Sequence, residues 1–188
     1  MAKDRKFKYT GLITAVLLIY IAMLCIPGIL KLLYPLEHKE AIIKYGQLHN
    51  IDPPLLAALI KTESNFEPYA ESRKGAKGLM QITPSTGEWI AATTGVKDYN
   101  ESMLYDPETN IKLGSWYIEH LSEYYSGSFD LVFAAYNGGS GNVDKWLKDR
   151  NYSLNGRTLD TIPFLETENF VKRVKKNYSI YKRIYNWE

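Results

Sequence analysis

A mainly helical domain behind a single membrane-spanning helix is the fold this sequence predicts, and three observations carry it. No charged residue occurs from Tyr9 to Leu30, and Leu12 to Leu30 is almost wholly apolar. Beyond that run, apolar residues recur at helical spacing, with little of the strict alternation that marks strands. Finally, Asp52-Pro53, Thr83-Pro84 and Asp106-Pro107 each pair a side-chain cap with proline, the residue suited to the first turn of a helix.

The apolar run comes first in order. A helix needs about 20 apolar residues to cross the hydrocarbon core, and this one is long enough. Lys3, Arg5, Lys6 and Lys8 precede it against a single Asp4, so the positive-inside rule places the N-terminus in the cytoplasm. The expected division is a cytoplasmic 1–9, an anchor over 10–33 and an extracytoplasmic domain over 34–188. A cleaved signal peptide is the rival reading. Against it, the run exceeds a usual signal core and no small-x-small cleavage site follows. Ile26-Pro27-Gly28 is a kink of the kind membrane helices tolerate. The expected location is the cell membrane, in a single pass.

The outer domain follows helix by helix. Residues 38–49 form an amphipathic helix, and Asp52-Pro53 starts the next, which ends at Glu63. Thr83-Pro84 opens a helix to about Gly95, and Asp106-Pro107 a long one ending near Gly127. Ser128 caps a short apolar helix from Phe129 to Tyr136, stopped by Asn137-Gly138-Gly139. A short helix over about 142–148 and a terminal one from Thr167 to about Tyr185 complete the set. Residues 96–105 and 150–165 are the candidates for a loop that closes a cleft, and the second carries the turn signal Asn155-Gly156.

Composition removes several function classes. Without residues 1–36 the chain keeps 18 basic and 20 acidic residues, a net charge of −2, which gives no electrostatic case for binding nucleic acid. Lys172, Arg173, Lys175, Lys176, Lys182 and Arg183 are read as the solvated face of the last helix, with a partner site or an anionic surface as the alternatives. Cys25 is the only cysteine and lies in the apolar run, so the outer domain has neither disulfide nor thiol chemistry. His49 and His120 form no metal-ligand pattern with a neighbour. No cofactor and no metal are expected.

Glu63 is the residue that points to chemistry. Leu56, Leu59, Ile60 and Glu63 fall at i, i+3, i+4 and i+7, which sets a carboxylate in the middle of an apolar stripe. Partial desolvation of such an acid raises its pKa towards the range of a general acid. A helix-end Glu turned out to solvent is the alternative that the stripe alone leaves open. Other segments then join it in order: Ser64, Ser72, Gly75-Ala76-Lys77-Gly78-Leu79-Met80-Gln81, Ala134-Ala135-Tyr136-Asn137-Gly138-Gly139 and Ile162-Pro163-Phe164-Leu165-Glu166-Thr167.

This set resembles the lytic transglycosylase domain of the soluble lytic transglycosylase type, glycoside hydrolase family 23, whose lysozyme-like α+β fold has little strand and is similar to goose-type lysozyme. The family's Glu-Ser, Gly-Leu-Met-Gln, Ala-Tyr-Asn and late Pro-Phe-x-Glu-Thr motifs all occur here, across about residues 40–185. The resemblance implies Glu63 as the single catalytic acid and base. It implies Ser72 as a hydrogen-bonding group near the carboxyl or the N-acetyl group, and Met80 and Gln81 as cleft residues contacting sugar. It also implies Tyr136 beside the carboxyl, Asn137 as its polar neighbour, and Glu166 as a second glutamate that orders the cleft. Gly138-Gly139 stands where the family often has Asn-Ala-Gly, and its small residues keep the turn open.

The implied substrate is the peptidoglycan glycan strand, and the implied product a 1,6-anhydromuramoyl end formed without water. Two-carboxylate glycosidases place a second acid about 5–9.5 Å from the first, and the motif segments offer no evident partner. Glu67 and Glu71 flank a proline loop and are read as solvated. A hydrolytic muramidase on the same fold and a catalytically silent peptidoglycan-binding module are the competing readings. Tyr136, Tyr69 and Trp89 are candidates for stacking on sugar.

Overall fold

The structure is a computed structural model that describes the backbone of residues 2–187, while the side chains of residues 2–13, 15, 16 and 22 lie outside the described residues. The chain divides into two compact units, Met1–Pro35 and Leu36–Glu188. The first is one helix, α1 (Ala2–Leu33), which contains Pro27. Among the described residues, no helix is long and apolar enough to cross a membrane. The anchor read over 10–33 takes in 10–13, 15, 16 and 22, which lie outside the described side chains.

The second unit is built of α2 (Lys39–Leu48), α3 (Pro53–Glu63), α4 (Pro84–Thr94), a 3-10 turn (Glu101–Tyr105), α5 (Pro107–Tyr124), α6 (Phe129–Gly138), α7 (Ser140–Lys148) and α8 (Leu165–Ile184). The predicted helices are all present, with ends displaced by a few residues. The 3-10 turn stands where the sequence suggested only loop. No strand forms among the described residues; two isolated antiparallel bridges, Glu71 to Lys77 and Lys77 to Ile82, mark a small irregular hairpin.

Helix α3 is the centre of this unit. It packs mainly against α8 and also against α2, while α6 joins α7 and α8, and α5 bridges α2, α4 and α6. Leu56, Ala57, Ala58, Leu59 and Ile60 are all at most 1% exposed, so α3 is buried nearly all round rather than along one stripe. Burial of Leu56, Leu59 and Ile60, about 1.5–3 kcal/mol each, fixes where the end of α3 must lie.

The three proline starts differ in detail. Thr83 accepts a hydrogen bond from the Thr86 N–H at 3.2 Å, and Asp106 from the Thr109 N–H at 2.8 Å, as caps do. Asp52 makes no such cap. Its carboxylate instead accepts the Tyr178 hydroxyl at 2.6 Å, tying the start of α3 to α8. Burial and this bond to an anion hold the Tyr178 hydroxyl above its ordinary pKa. Ser128 likewise provides no side-chain cap for α6.

Candidate active site

A hollow of about 270 Å3 lies at the far end of α3 among His49, Asp52, Leu55, Glu119 and Phe133. None of the motif residues lines it. They converge at the other end of α3, around Glu63.

Glu63 is half-buried, open on one flank and crowded by protein on the others. That crowding raises its pKa to about 8; the Arg173 guanidinium pulls it back down, and the Glu166 carboxylate adds to the rise. Both of those groups are carried by α8, which lies along α3. The amide of Asn177 on α8 donates to the Thr62 hydroxyl at 2.9 Å, and that hydroxyl donates to Ala58 O one turn back. The last turn of α3 is therefore held against α8, and Glu63 has little freedom to swing out.

Ser64 explains why the residue after Glu63 is a small hydroxyl. Its backbone N–H closes α3 on Ile60 O at 3.0 Å. Its hydroxyl donates to Leu79 O at 2.8 Å, which pulls the Gly78–Gln81 loop onto the end of α3. Gly78 sits in the left-handed region (φ +74), and a Cβ there would lie 2.0 Å from Leu104 O, so only glycine lets the loop approach this closely.

Asn110 on α5 holds the same loop from beneath. Fully buried, it accepts the Met80 N–H at 2.7 Å and donates to Lys77 O at 3.0 Å and Leu104 O at 2.7 Å. Three backbone groups that would otherwise be buried without partners are satisfied by one side chain.

The motif residues separate into distinct roles. Met80 is 0% exposed, and its side chain packs so tightly on Gly114 that a Cβ there would fall 2.3 Å from its Sδ. The expectation that Met80 contacts sugar is therefore corrected: its side chain is a core filler. What it contributes is its carbonyl, which accepts the Tyr136 hydroxyl at 2.7 Å. Gln81, half-exposed at φ 49, donates from Nε2 to Ala70 O and Gly78 O, and so braces the hairpin it borders.

Tyr136 meets Phe170 in a stacked pair 6.5 Å apart. Burial, and next the Glu63 carboxylate, push its hydroxyl well above the ordinary tyrosine pKa. It is a neutral donor at physiological pH, within electrostatic reach of Glu63. Asn137 accepts the Thr167 hydroxyl at 2.8 Å, which joins the end of α6 to the start of α8. Ser72 shapes the turn before the loop: its hydroxyl accepts the Ala76 N–H at 3.0 Å. Glu166 is exposed in the first turn of α8.

Among the described residues, Glu166 is the carboxylate whose charge bears on Glu63. Glu67 and Glu71 are both exposed. The first accepts the Tyr69 N–H at 3.1 Å, and the second accepts the Tyr105 hydroxyl at 2.8 Å and pairs with Lys77 at 3.3 Å. Among the described residues, no group of His, Cys, Asp and Glu is arranged to hold a metal ion.

Sequence reasoning missed three residues. Asn110 carried the same signal as Glu63, a polar residue on the buried side of a helix, one turn before Gly114. Thr167 lay inside a quoted motif, yet it is the buried member (2% exposed) beside the exposed Glu166. Arg173 was assigned to a solvated basic face; nothing local in the sequence brings it to Glu63.

Comparison with known proteins shows the family of the chain. Residues 40–157 match the family model of the transglycosylase SLT domain. The soluble lytic murein transglycosylase of Salmonella typhimurium is 32% identical over 143 residues, 75% of this chain and 22% of the relative. That of Escherichia coli K12 is 31% identical over 154 residues, 81% of this chain and 24% of the relative. The chain thus spans about a quarter of the length of these relatives. The crystal structure of the 70 kDa soluble lytic transglycosylase from Escherichia coli superposes with a TM-score of 0.72 at 29% identity, covering 81% of this chain and 25% of that one. An inactive glutamate-to-glutamine mutant of lytic transglycosylase Slt from Pseudomonas aeruginosa superposes with a TM-score of 0.70 at 28% identity, covering 80% and 24%. The chain belongs to the transglycosylase SLT domain family.

Proposed function

We propose that this domain is a peptidoglycan lytic transglycosylase that cleaves the MurNAc-β-1,4-GlcNAc bond and leaves 1,6-anhydro-MurNAc ends. The observation that carries the reading is Glu63, an acid raised to about pH 8 at the open end of a buried helix. The relatives named as lytic murein transglycosylases support the reaction class. A glutamate-to-glutamine mutant described as inactive supports the weight given to one acid. A complex of the 70-kDa soluble lytic transglycosylase with bulgecin A superposes with a TM-score of 0.73 at 29% identity, covering 81% of this chain and 25% of that one.

In the proposed cycle, Glu63 is protonated at neutral pH and gives its proton to the glycosidic oxygen as the bond to the muramoyl C1 breaks. The sugar's own 2-acetamido oxygen covers the cation at C1, which removes the need for a second protein carboxylate. Glu63, now charged and stabilised by Arg173, takes the proton of the C6 hydroxyl. O6 then bonds to C1, displaces the acetamido oxygen and closes the anhydro ring. Tyr136 fixes the Met80 carbonyl edge beside the carboxyl. Asn137 keeps its amide N–H groups unbonded among the described residues, available to the substrate.

The test is mass spectrometry of the products from purified sacculi. Anhydro ends are expected; reducing muramic ends would establish the hydrolytic muramidase instead. Absence of cleavage by the parent, or lysis by Glu63→Gln equal to the parent's, would overturn the catalytic assignment. The uncharged run Tyr9–Leu30 behind Lys3, Arg5, Lys6 and Lys8 supports a further element, a single-pass anchor that holds the domain outside the cytoplasmic membrane. Carbonate extraction of membranes checks it, since an anchored protein stays in the pellet.

A further inference from the structure

Beyond Tyr136 lies a set of aromatic rings that the proposed bond cleavage does not use. Tyr117 approaches Tyr136 with ring centres 5.5 Å apart, and Trp89 approaches Tyr117 at 5.9 Å. Trp89 also stands edge-on to Trp116 at 5.4 Å and to His120 at 5.2 Å. Trp116 and His120 in turn stack face to face at 5.3 Å. The rings therefore run without a gap from the residue beside Glu63 out across α4 and α5.

Packing on α5 covers only part of Trp89. Helix α4 buries Gly87, Ile90 and Ala91, and Trp89 stands off that face with 42% of its surface exposed. The exposed part of that indole, next to three other rings, is apolar surface that gains from being covered. Among the described residues, none hydrogen-bonds the Trp89 or Trp116 indole N–H or the His120 ring, so each keeps polar capacity for a ligand.

The chemistry of the patch selects its occupant. A β-linked amino sugar carries its hydroxyls around the ring edge and presents C–H groups on its faces. Aromatic faces cover those C–H groups, and the indole and imidazole edges meet the hydroxyl and acetamido groups. Ring centres step by 5.5 Å from Tyr136 to Tyr117 and by 5.9 Å from Tyr117 to Trp89, so Trp89 stands two ring steps from the residue beside Glu63.

We propose that Trp89, with Trp116 and His120 behind it, is a glycan platform that stacks sugars two or more units from the cleaved bond and gives the domain a preference for long strands. The inference rests on the reading of Glu63 as the centre of a glycan-cleaving site.

Two measurements test it on the full-length protein in detergent. Cleavage of long uncrosslinked glycan strands is compared with cleavage of a tetrasaccharide, and sedimentation with purified sacculi is measured in the Glu63→Gln background. Trp89→Ala is expected to lower the long-to-short ratio of kcat/KM roughly tenfold, through KM, and to weaken sedimentation by a similar factor. Trp89→Tyr, which restores a ring, should recover most of the loss. An equal effect on long and short substrates, no effect on either, or no recovery by tyrosine overturns the platform. A parent that cleaves neither substrate strikes at the proposed reaction instead, and sedimentation then still decides the platform on its own.

Discussion

Replacing Glu63 by glutamine tests the electrostatic core of the site through stability rather than activity. The folded protein holds the Glu63 proton up to about pH 8, whereas the unfolded chain releases it near the ordinary carboxylate value of 4.5. Above pH 4.5 the unfolded state therefore binds fewer protons, and the native state loses stability at up to about 1.4 kcal/mol per pH unit until the folded pKa is passed. Stability tied to the neutral acid is fully present below pH 4.5 and is lost as pH rises through about 8. Fully realised, the shift corresponds to about 3 kcal/mol lost by pH 7 and about 5 above pH 8. The open flank of Glu63 lets water screen part of it, so about 2 kcal/mol at pH 7 is the expected effect. Glutamine keeps the shape and cannot ionise. Urea unfolding of parent and Glu63→Gln from pH 4 to 9 should give nearly equal stabilities at pH 4 and a variant that is increasingly the more stable towards pH 8. A stability difference that stays flat with pH, or one that favours the parent at high pH, would refute the buried-acid argument.

Other perturbations follow from the same contacts. Cleavage by the parent should fall as pH rises through about 8, and Arg173→Gln should move that limb upward, because the guanidinium holds the Glu63 pKa down; a pH–rate profile reads both. Asn110→Leu strands the Met80 N–H and two carbonyls in the interior and should cost about 3 kcal/mol in chemical denaturation. Tyr136→Phe removes only the bond to Met80 O, so it should cost about 1 kcal/mol of stability and on the order of tenfold in turnover on sacculi. Gly114→Ala drives a methyl into the Met80 thioether and should lower stability by about 1–3 kcal/mol, visible as a reduced thermal midpoint.

Much of the helical layout was legible because its signals are local. Pro53, Pro84 and Pro107 can begin a helix and cannot continue one, so they fixed three starts whatever packed around them. Caps were less legible: Asp52 looks like a cap in sequence, yet Tyr178, 126 residues away, takes its carboxylate. The 3-10 turn at Glu101–Tyr105 escaped notice because it is a single short turn begun by Asn100, too brief to show a period.

For the site itself, the sequence determined which residue types are available: an acid on an apolar helix, a hydroxyl after it, a glycine-led loop and a Tyr-Asn pair. Those depend on spacing along one helix or loop, which the chain carries within itself. Only the tertiary structure decided what each does. It turned Met80 from a sugar contact into a core filler with a useful carbonyl, and made Asn110 and Thr167 the residues that hold the loop and the Tyr-Asn turn. It also brought Arg173 to Glu63. These outcomes depend on α8 lying against α3 and on α5 reaching the Gly78–Gln81 loop through Asn110, and such contacts span tens to more than a hundred residues of chain. The desolvation that makes Glu63 an acid at neutral pH is of the same kind: one helix can place a carboxylate on an apolar face, but only its neighbours can keep water away.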